Sequence, residues 1–231
     1  MTITLAIEVS NPSASPGARA IALARVHDDG TIEELGAGVM PKNTRGSDGV
    51  MALIDRVCAE AAVPPAEIGA IAVSVGPGGY TALRIATTTA KVLARTLDCA
   101  LIPVPTAEVA SVRIQDEQLP AIITLASKGE KAWCAMVRAD GRGGRLIEPL
   151  GVIEPGALEG SGAMHIFADS HLPAGFAAYA DRHAIAVHPI MLDAGDCIRA
   201  SLRRPSVAPS DLVPIYAREP DAVTQWRERH G

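Results

Sequence analysis

A glycine-rich turn between a strand and a helix is the first feature of this sequence that could do chemistry. Gly76, Pro77, Gly78 and Gly79 follow an apolar run, and a helical segment begins near Thr81. Gly76 and Gly78 can adopt positive φ, Gly79 allows a close approach of the backbone, and Thr81 can cap the helix. Because the amide groups of a helix N-terminus attract anions, the turn could bind a phosphate. Such a turn is also a common structural device, so both interpretations stay open.

The residues that usually complete a phosphate site are only partly present. No GxxxxGKS or GxxxxGKT motif occurs, and Lys91 lies about three turns into the helix, far from the glycines. Acidic and hydroxyl side chains at the end of the first strand and one arginine in the helix complete the candidate set. The predicted anion or nucleotide ligands are Glu8, Ser10, Gly76, Gly78, Gly79, Thr81 and Arg84.

The histidines show no metal-binding pattern. None belongs to an HExxH or HxxxH pair, which would place two imidazoles on one helix face. His183 and His188 are five residues apart, and His165 and His171 are six apart. We interpret them as scattered polar residues, and the sequence predicts no metal ligands.

Composition argues against several classes of protein. The 231 residues are 48% hydrophobic and 20% charged, which is enough apolar surface for a buried core. Aromatic residues make up only 3%, so a stacking platform for single-stranded nucleic acid is not expected. The net charge of −5 also opposes a dedicated nucleic-acid binder, although arginines in the last third could form a local basic patch. Neither a transmembrane helix nor a CxxC pair is present, and we expect a cytoplasmic protein with reduced thiols.

The elements that must position the turn follow a recognisable order. The hydrophobic pattern predicts three strands within residues 3–40, a helix over about 47–62 capped by Ser47, a strand over 69–76, a helix from about Thr81, a strand over 100–105 and a helix capped by Thr106. This β-β-β-α-β-α-β-α order is typical of the ribonuclease-H-like lobe, which recurs in actin, Hsp70 and sugar kinases. Fold alone does not give function.

The second half of the chain predicts a smaller lobe of similar type. Strands are expected over 121–127, 131–139, 144–153 and 163–169, with helical stretches near 174–180 and 190–202. The predicted fold is therefore a two-lobed α/β fold of the actin/Hsp70 (ASKHA) type with a shortened second lobe. We expect domains over 1–115 and 116–231, with the last helix packing back on the first lobe.

The helix after the turn has an unusual surface. Ala82, Ala86, Ala90 and Ala94 recur every four residues, and the three threonines at 87–89 have low helix propensity. Packing against its own sheet is one explanation of the alanine stripe. A stripe of small residues opposite Ile85, Val92 and Leu93 would also suit a partner helix.

The same segment carries a family resemblance. GPGGYTALRIATTTAKVLA, residues 76–94, resembles the GPGSFTGLRIGLATAKGLA block of the TsaB (YeaZ) family. IGAIAVSV, CALIPVPTAEVAS and LAIEVS resemble the LDAIAVGI, IPLVGVSSLEALA and LAIDTS segments of that family. The resemblance covers most of residues 1–115 and the rest in patches. Glu8 replaces the family's first-strand aspartate, Ala82 replaces a glycine, and the entry to the first helix differs.

The resemblance implies a non-catalytic accessory protein in the synthesis of threonylcarbamoyladenosine in tRNA. Such a protein binds a TsaD-like catalytic subunit, with a TsaE-like ATPase joining the complex, and forms a homodimer when alone. ATP and metal would belong to the partner subunits, and tRNA would meet this chain only through the complex. The first two helices would form the partner surface. By match, the partner-binding residues would be Met51, Ile54, Val57, Ala82, Ile85, Ala86, Thr89, Ala90 and Leu93.

Two enzymatic alternatives remain at this point. A stand-alone ATP-using enzyme of the actin-like superfold would need an acidic base, for which Glu8 is the only candidate in the first strand. An M22-type peptidase, a label that the family has also carried, would need a metal site that the histidine spacing does not indicate. Turnover of ATP by the chain alone would favour the first alternative, and a partner-dependent effect would favour the accessory role.

Overall fold

Two five-stranded mixed sheets form the framework of this chain in a computed structural model, which describes residues 1–11, 18–40, 48–218, 226 and 229. The first half contains β1 (Thr2–Ile7), β2 (Ile21–Val26), β3 (Ile32–Gly38), α1 (Asp48–Glu60), β4 (Ile68–Ser74), α2 (Tyr80–Leu97), β5 (Ala100–Val104) and α3 (Thr106–Ser111). The second half contains β6 (Ala121–Lys128), β7 (Lys131–Ala139), β8 (Arg145–Ile153), β9 (His165–Ala168), α4 (Ala174–Arg182), β10 (Ala186–Pro189) and α5 (Ala194–Ser201).

The two sheets have the same topology. The first sheet runs β3-β2-β1-β4-β5, and the second runs β8-β7-β6-β9-β10. In each sheet the first three strands in sequence pair antiparallel with one another, and the last two run parallel to the first of them, which is the central strand. This is the predicted ribonuclease-H-like order in both halves, and the predicted fold class is confirmed. Sequence patterns missed β10, a four-residue edge strand that ends in a proline.

Helices cover both faces of the first sheet. Leu5 and Ile7 of β1 point to the face on which α1 and α2 pack, and Ala6 points to the face that α5 covers. This alternation is the period-two pattern of a strand buried on both sides. α5 contacts β1, β2, β4 and β5 of the first sheet, although it comes from the second half of the chain. Its apolar cluster continues into Ile123 and Leu125 of the second sheet, so the domain boundary near residue 115 stays a prediction.

The alanine stripe of α2 faces inward. Ala86 and Ala90 are fully buried and Ala94 nearly so, and all three belong to the core beneath α1 and α2. The hypothesis that this stripe faces a partner is wrong for these residues, because the small side chains bring the helix close to its own sheet. Ile54 and Val57 of α1 are buried in the same core, so they too are unavailable at the surface predicted for a partner.

The two predicted threonine caps are also wrong. Gly79 occupies the N-cap position of α2 without a side-chain cap, and Thr81 lies within the first turn. Pro105 occupies the N-cap position of α3, and the Thr106 hydroxyl instead shares a hydrogen bond of 2.9 Å with the Ser74 hydroxyl. Ser47, the predicted cap of α1, lies outside the described residues.

Two expectations about the environment of the chain can be compared with the structure. All four cysteines are free thiols, with Cys58, Cys134 and Cys197 buried and Cys99 half-buried. Burial raises the pKa of the Cys134 thiol to about 12. Within the described residues, no helix combines the length and the apolar character needed to cross a membrane.

The inward alanine stripe can be tested by overpacking. Ala90→Leu should lower the free energy of unfolding by about 1–3 kcal/mol, because the fully buried site has no room for three more carbons. The exposed Thr96→Leu on the same helix is the matched control, with an expected change within about 0.5 kcal/mol. Urea unfolding of the three proteins measures both values. Equal stability of Ala90→Leu and wild type would contradict the inward orientation.

Candidate functional site

The 76–79 turn is joined to the end of the first strand by backbone contacts. The Gly79 N–H donates a hydrogen bond of 2.7 Å to the Ser10 carbonyl oxygen. A side chain on Gly78 would overlap that same carbonyl group. Gly76 has a φ of +105°, and a side chain there would overlap the carbonyl oxygen of Ile215. The glycines are therefore needed because three distant segments of backbone meet at this turn.

These contacts change the roles that sequence patterns suggest for the turn. The close approach occurs at Gly78 rather than Gly79, where a Cβ would meet the Ser10 oxygen at an ordinary 3.6 Å. Of the two glycines expected at positive φ, only Gly76 adopts it. The Gly79 amide, which an anion would need, already donates to Ser10. Anion binding by this turn stays a prediction.

Glu8 lies beneath the turn as a buried acid. Glu8 is only 4% exposed to solvent. Its Oε1 accepts a hydrogen bond of 2.8 Å from the Ser10 N–H and one of 2.6 Å from the Ser10 hydroxyl. Its Oε2 has no hydrogen-bond partner among the described residues. Glu8 thus fixes Ser10, whose carbonyl in turn fixes Gly79 at the start of α2. A nucleotide contact by Glu8 or Ser10 stays a prediction.

The electrostatic surroundings of Glu8 favour its neutral form. Burial raises its pKa, hydrogen bonds from Ser10 act against this shift, and the negative charge of Asp193 adds to it. Asp193 is itself buried, which would raise its pKa, but its hydrogen bonds with Arg19 hold that pKa below the usual range. The Arg19 Nη2 lies 2.6 Å from Asp193 Oδ1. The paired Asp193 is therefore the charged member of this cluster, and Glu8 is the member that burial drives toward protonation.

One contact between the halves of the chain could not be found from sequence patterns. The Asn11 Nδ2 donates to Asp169 Oδ2 at 2.7 Å, joining the loop after β1 to the residue that follows β9. Asp169 also accepts the His171 N–H at 2.8 Å. Asn11 and Asp169 are 158 positions apart, so only the tertiary fold brings them together.

The interpretation of the histidines as scattered is wrong for one pair. The His165 Nδ1 and the His188 Nε2 lie 2.9 Å apart, because β9 and β10 are neighbouring parallel strands. Burial and the neighbouring His188 lower the pKa of His165. Across the described residues, no group of three or more His, Cys, Asp or Glu side chains is arranged to hold a metal ion.

The outer face of α1 and α2 exposes several apolar and aromatic groups. Met51 is 44% exposed, Val92 59% and Tyr80 38%. Tyr80 contacts the ring of Tyr216 with centroids 4.8 Å apart, and the Arg84 guanidinium lies 4.2 Å from the Tyr80 ring centroid. Arg84, predicted as an anion ligand, also donates to the Tyr216 hydroxyl at 3.3 Å. Its observed role is to hold these aromatic rings at the surface.

The backbone contact at Gly78 predicts unequal effects of two neighbouring substitutions. Gly78→Ala should lower the free energy of unfolding by about 2–3 kcal/mol, since its Cβ would overlap backbone that cannot rotate away. Gly79→Ala should cost less than about 1 kcal/mol, because only the weaker N-cap preference of alanine is added. Chemical denaturation measures the pair, and equal losses would contradict the Ser10–Gly78 contact.

The buried Glu8 predicts a pH-dependent difference in stability. Its pKa in the folded state is raised above the ordinary value of 4.5, so folding favours the protonated form. The stabilisation that comes with this proton is complete below pH 4.5 and is lost as pH rises through the folded pKa. The side chain of Glu8→Gln cannot ionise. The free energy of unfolding of this variant should therefore rise relative to that of wild type as the pH increases from 5 to 8. Glu117→Gln, exposed at the surface, is the control, and parallel pH curves for wild type and Glu8→Gln would contradict the shift.

Comparison with known proteins agrees with this geometry. The family model described as "TsaD: tRNA N6-adenosine threonylcarbamoyltransferase" matches residues 22–146, more than half of the chain. No curated protein sequence matches. A crystal structure of an uncharacterized protein with similarity to peptidase YEAZ from Pseudomonas aeruginosa has a TM-score of 0.67 at 18% identity, covering 94% of this chain and 100% of the other. YeaZ from Pseudomonas aeruginosa has a TM-score of 0.66 at 17% identity, with the same coverage.

The two solved structures show the fold of this chain, and the family model shows the family to which it belongs. This chain therefore belongs to the TsaD family, and it shares the fold of the YeaZ structures.

Proposed function

We propose that this chain is the non-catalytic accessory subunit of a complex that transfers a threonylcarbamoyl group to N6 of the adenosine 3′ of the anticodon in tRNA. It binds and stabilises a TsaD-like catalytic subunit, and a TsaE-like ATPase joins them. ATP and metal are bound by those partners, and tRNA meets this chain through the complex. Membership of the TsaD family supports this class of reaction.

The observation that carries the proposal is the exposed outer face of α1 and α2. We define the partner face by its exposed side chains and the half-buried ones between them. Its members are Met51, Tyr80, Arg84, Ile85, Thr88, Thr89, Val92 and Leu93. This set retains Met51, Ile85, Thr89 and Leu93 from the sequence-based prediction and omits Ile54, Val57, Ala86 and Ala90, which are buried. Ala82 is half-buried at its edge.

The chemistry of the partner face is that of a protein interface. Tyrosine, methionine and arginine are enriched at interface centres, and an aromatic ring already held by its neighbours loses little freedom on binding. Tyr80 is held by Tyr216 and Arg84. The inward alanines bring α2 close to the sheet, which gives the partner face a rigid support. When no catalytic subunit is present, two copies of this face are proposed to cover each other in a homodimer.

A charge placed on the partner face tests the proposal. Val92→Glu should weaken binding to the TsaD-like subunit of the same organism by about tenfold or more, because a carboxylate would be buried at the interface. Val187→Glu, on the exposed edge strand β10, introduces the same charge at a site 46% exposed and should bind as wild type. Calorimetry measures the affinities. Modification of unmodified tRNA, with the TsaE-like ATPase, ATP and threonylcarbamoyl-adenylate present, measures the consequence.

Four results would count against this function. Modification that proceeds equally without the chain would remove the accessory role, and equal binding by both variants would remove the partner face. Turnover of ATP by the chain alone would favour an enzyme of the actin-like superfold. Hydrolysis of a peptide by the chain alone would favour the peptidase alternative.

A further inference from the structure

A cavity of about 560 Å³ lies on the side of the first sheet opposite the partner face. Its walls come from α3, from β8 and the loop before it, and from the end of α5 with the residues that follow. Its volume lies within the range of small-molecule sites, and it is open to solvent. The turn at 76–79 and the buried Glu8 do not line it.

Arginine is the dominant charged residue of this cavity. Arg145, Arg199, Arg203 and Arg204 line it, and Glu108 and Asp116 are its only acidic lining residues among those described. The lining therefore has more arginines than carboxylates, on a chain whose net charge is −5. A positive concavity on an acidic protein attracts anions to one place and repels them elsewhere.

Two of these arginines are held in place by the protein. The Arg204 Nη1 lies 2.8 Å from Glu108 Oε1, and its Nε donates to the Pro103 carbonyl at 3.1 Å. The Arg145 Nη2 lies 2.7 Å from Asp116 Oδ1 and donates to the Ile114 carbonyl at 2.7 Å. These contacts neutralise the two acidic lining residues and fix the shape of the wall.

The other two arginines are more accessible. The Arg199 side chain is 52% exposed, with its Nη1 3.0 Å from Asp196 Oδ1, and Asp196 is shared with Arg113. Arg203 is exposed, and its guanidinium lies against Gly144, where a side chain would overlap it. It faces the carboxylate of Asp140, which also accepts hydrogen bonds from the Arg142 and Gly144 N–H groups. Arg199 and Arg203 can therefore turn toward a ligand while the wall stays intact.

One donor of this wall is unpaired. The Arg145 Nε is buried and has no hydrogen-bond acceptor among the described residues. Buried donors in proteins are almost always satisfied, and an unpaired one calls for a water or an ion. Because this atom is closed off from solvent, it belongs to the wall and is not a contact for a ligand in the cavity.

We infer that this cavity binds a phosphate group, carried either by an RNA backbone or by a free nucleotide. Guanidinium groups bind phosphate through paired charge-assisted hydrogen bonds, and several of them converge here. Arg199 and Arg203 contact the phosphate, while Arg145 and Arg204 shape the wall. This site goes beyond the proposed function and does not depend on it, because all its residues belong to this chain.

Neutralising the two accessible arginines tests the site. The full-length chain is titrated with a fluorescent unmodified tRNA transcript and, separately, with ADP. In Arg199→Gln/Arg203→Gln the association constant for the probe that binds should fall by about tenfold or more, since two charged hydrogen bonds are lost. For tRNA, the slope of log K against log salt should also fall by about two. Arg138→Gln/Arg182→Gln, two exposed arginines elsewhere, is the matched control and should bind as wild type.

Each outcome has a defined meaning. Arginine-dependent binding of tRNA alone identifies an RNA backbone, and arginine-dependent binding of ADP identifies a free nucleotide; either supports the site. Binding of neither probe by wild type, an unchanged affinity in the double variant, or an equal loss in the control overturns it. Arg199→Lys/Arg203→Lys guards against misfolding, since it keeps both charges and should retain part of the affinity. Binding to the TsaD-like subunit is measured on the same samples, so a failure of the proposed function is seen separately.

Discussion

The hydrogen bond between the Gly79 N–H and the Ser10 carbonyl is the contact on which the arrangement of the first half depends. It joins the end of β1 to the start of α2, and Ile215 reaches the same turn through its N–H bond to Val75. Glycine is required because three backbone segments approach more closely than any side chain would permit. The direction in which α2 leaves the sheet, and with it the outer face of α1 and α2, follows from this junction.

Small residues also permit close approaches between the helices and the sheet in the core. On one side of the first sheet, the alanines of α2 allow it to lie close to the strands, and on the other side Ala6, Ala22 and Ala72 allow the approach of α5. A chain with only 3% aromatic residues builds its core from such close approaches rather than from large rings. Phe167, Phe176 and Tyr179 are buried, whereas Tyr80 and Tyr216 lie together at the surface beside Arg84. The proposed partner face is thus a product of how the core is packed.

Charged groups occur in two settings in this molecule: a cluster around the buried Glu8, and the arginine cavity. Arg19 and Asp193 are paired, and Glu8 beside them is driven toward its neutral form by burial. On the side away from the partner face, four arginines of β8, α5 and the residues after α5 line a concavity on an acidic chain. The two proposed interactions therefore use different forces: burial of apolar and aromatic surface on α1 and α2, and charge-assisted hydrogen bonding at the arginine cavity.

The sequence by itself determined the order of strands and helices apart from β10, the two-lobed fold class and the position of the glycine turn, because hydrophobic periodicity and glycine are local signals. It also gave the family resemblance, through the block at residues 76–94. Only the tertiary structure decided which way the alanine stripe faces, since a helix has two sides and periodicity does not say which one the sheet covers. Likewise, the Asn11–Asp169 bond, the His165–His188 pair and the arginine cavity join residues far apart in the chain. Such contacts depend on which strands pair and on how the two sheets are placed, and no local pattern encodes either.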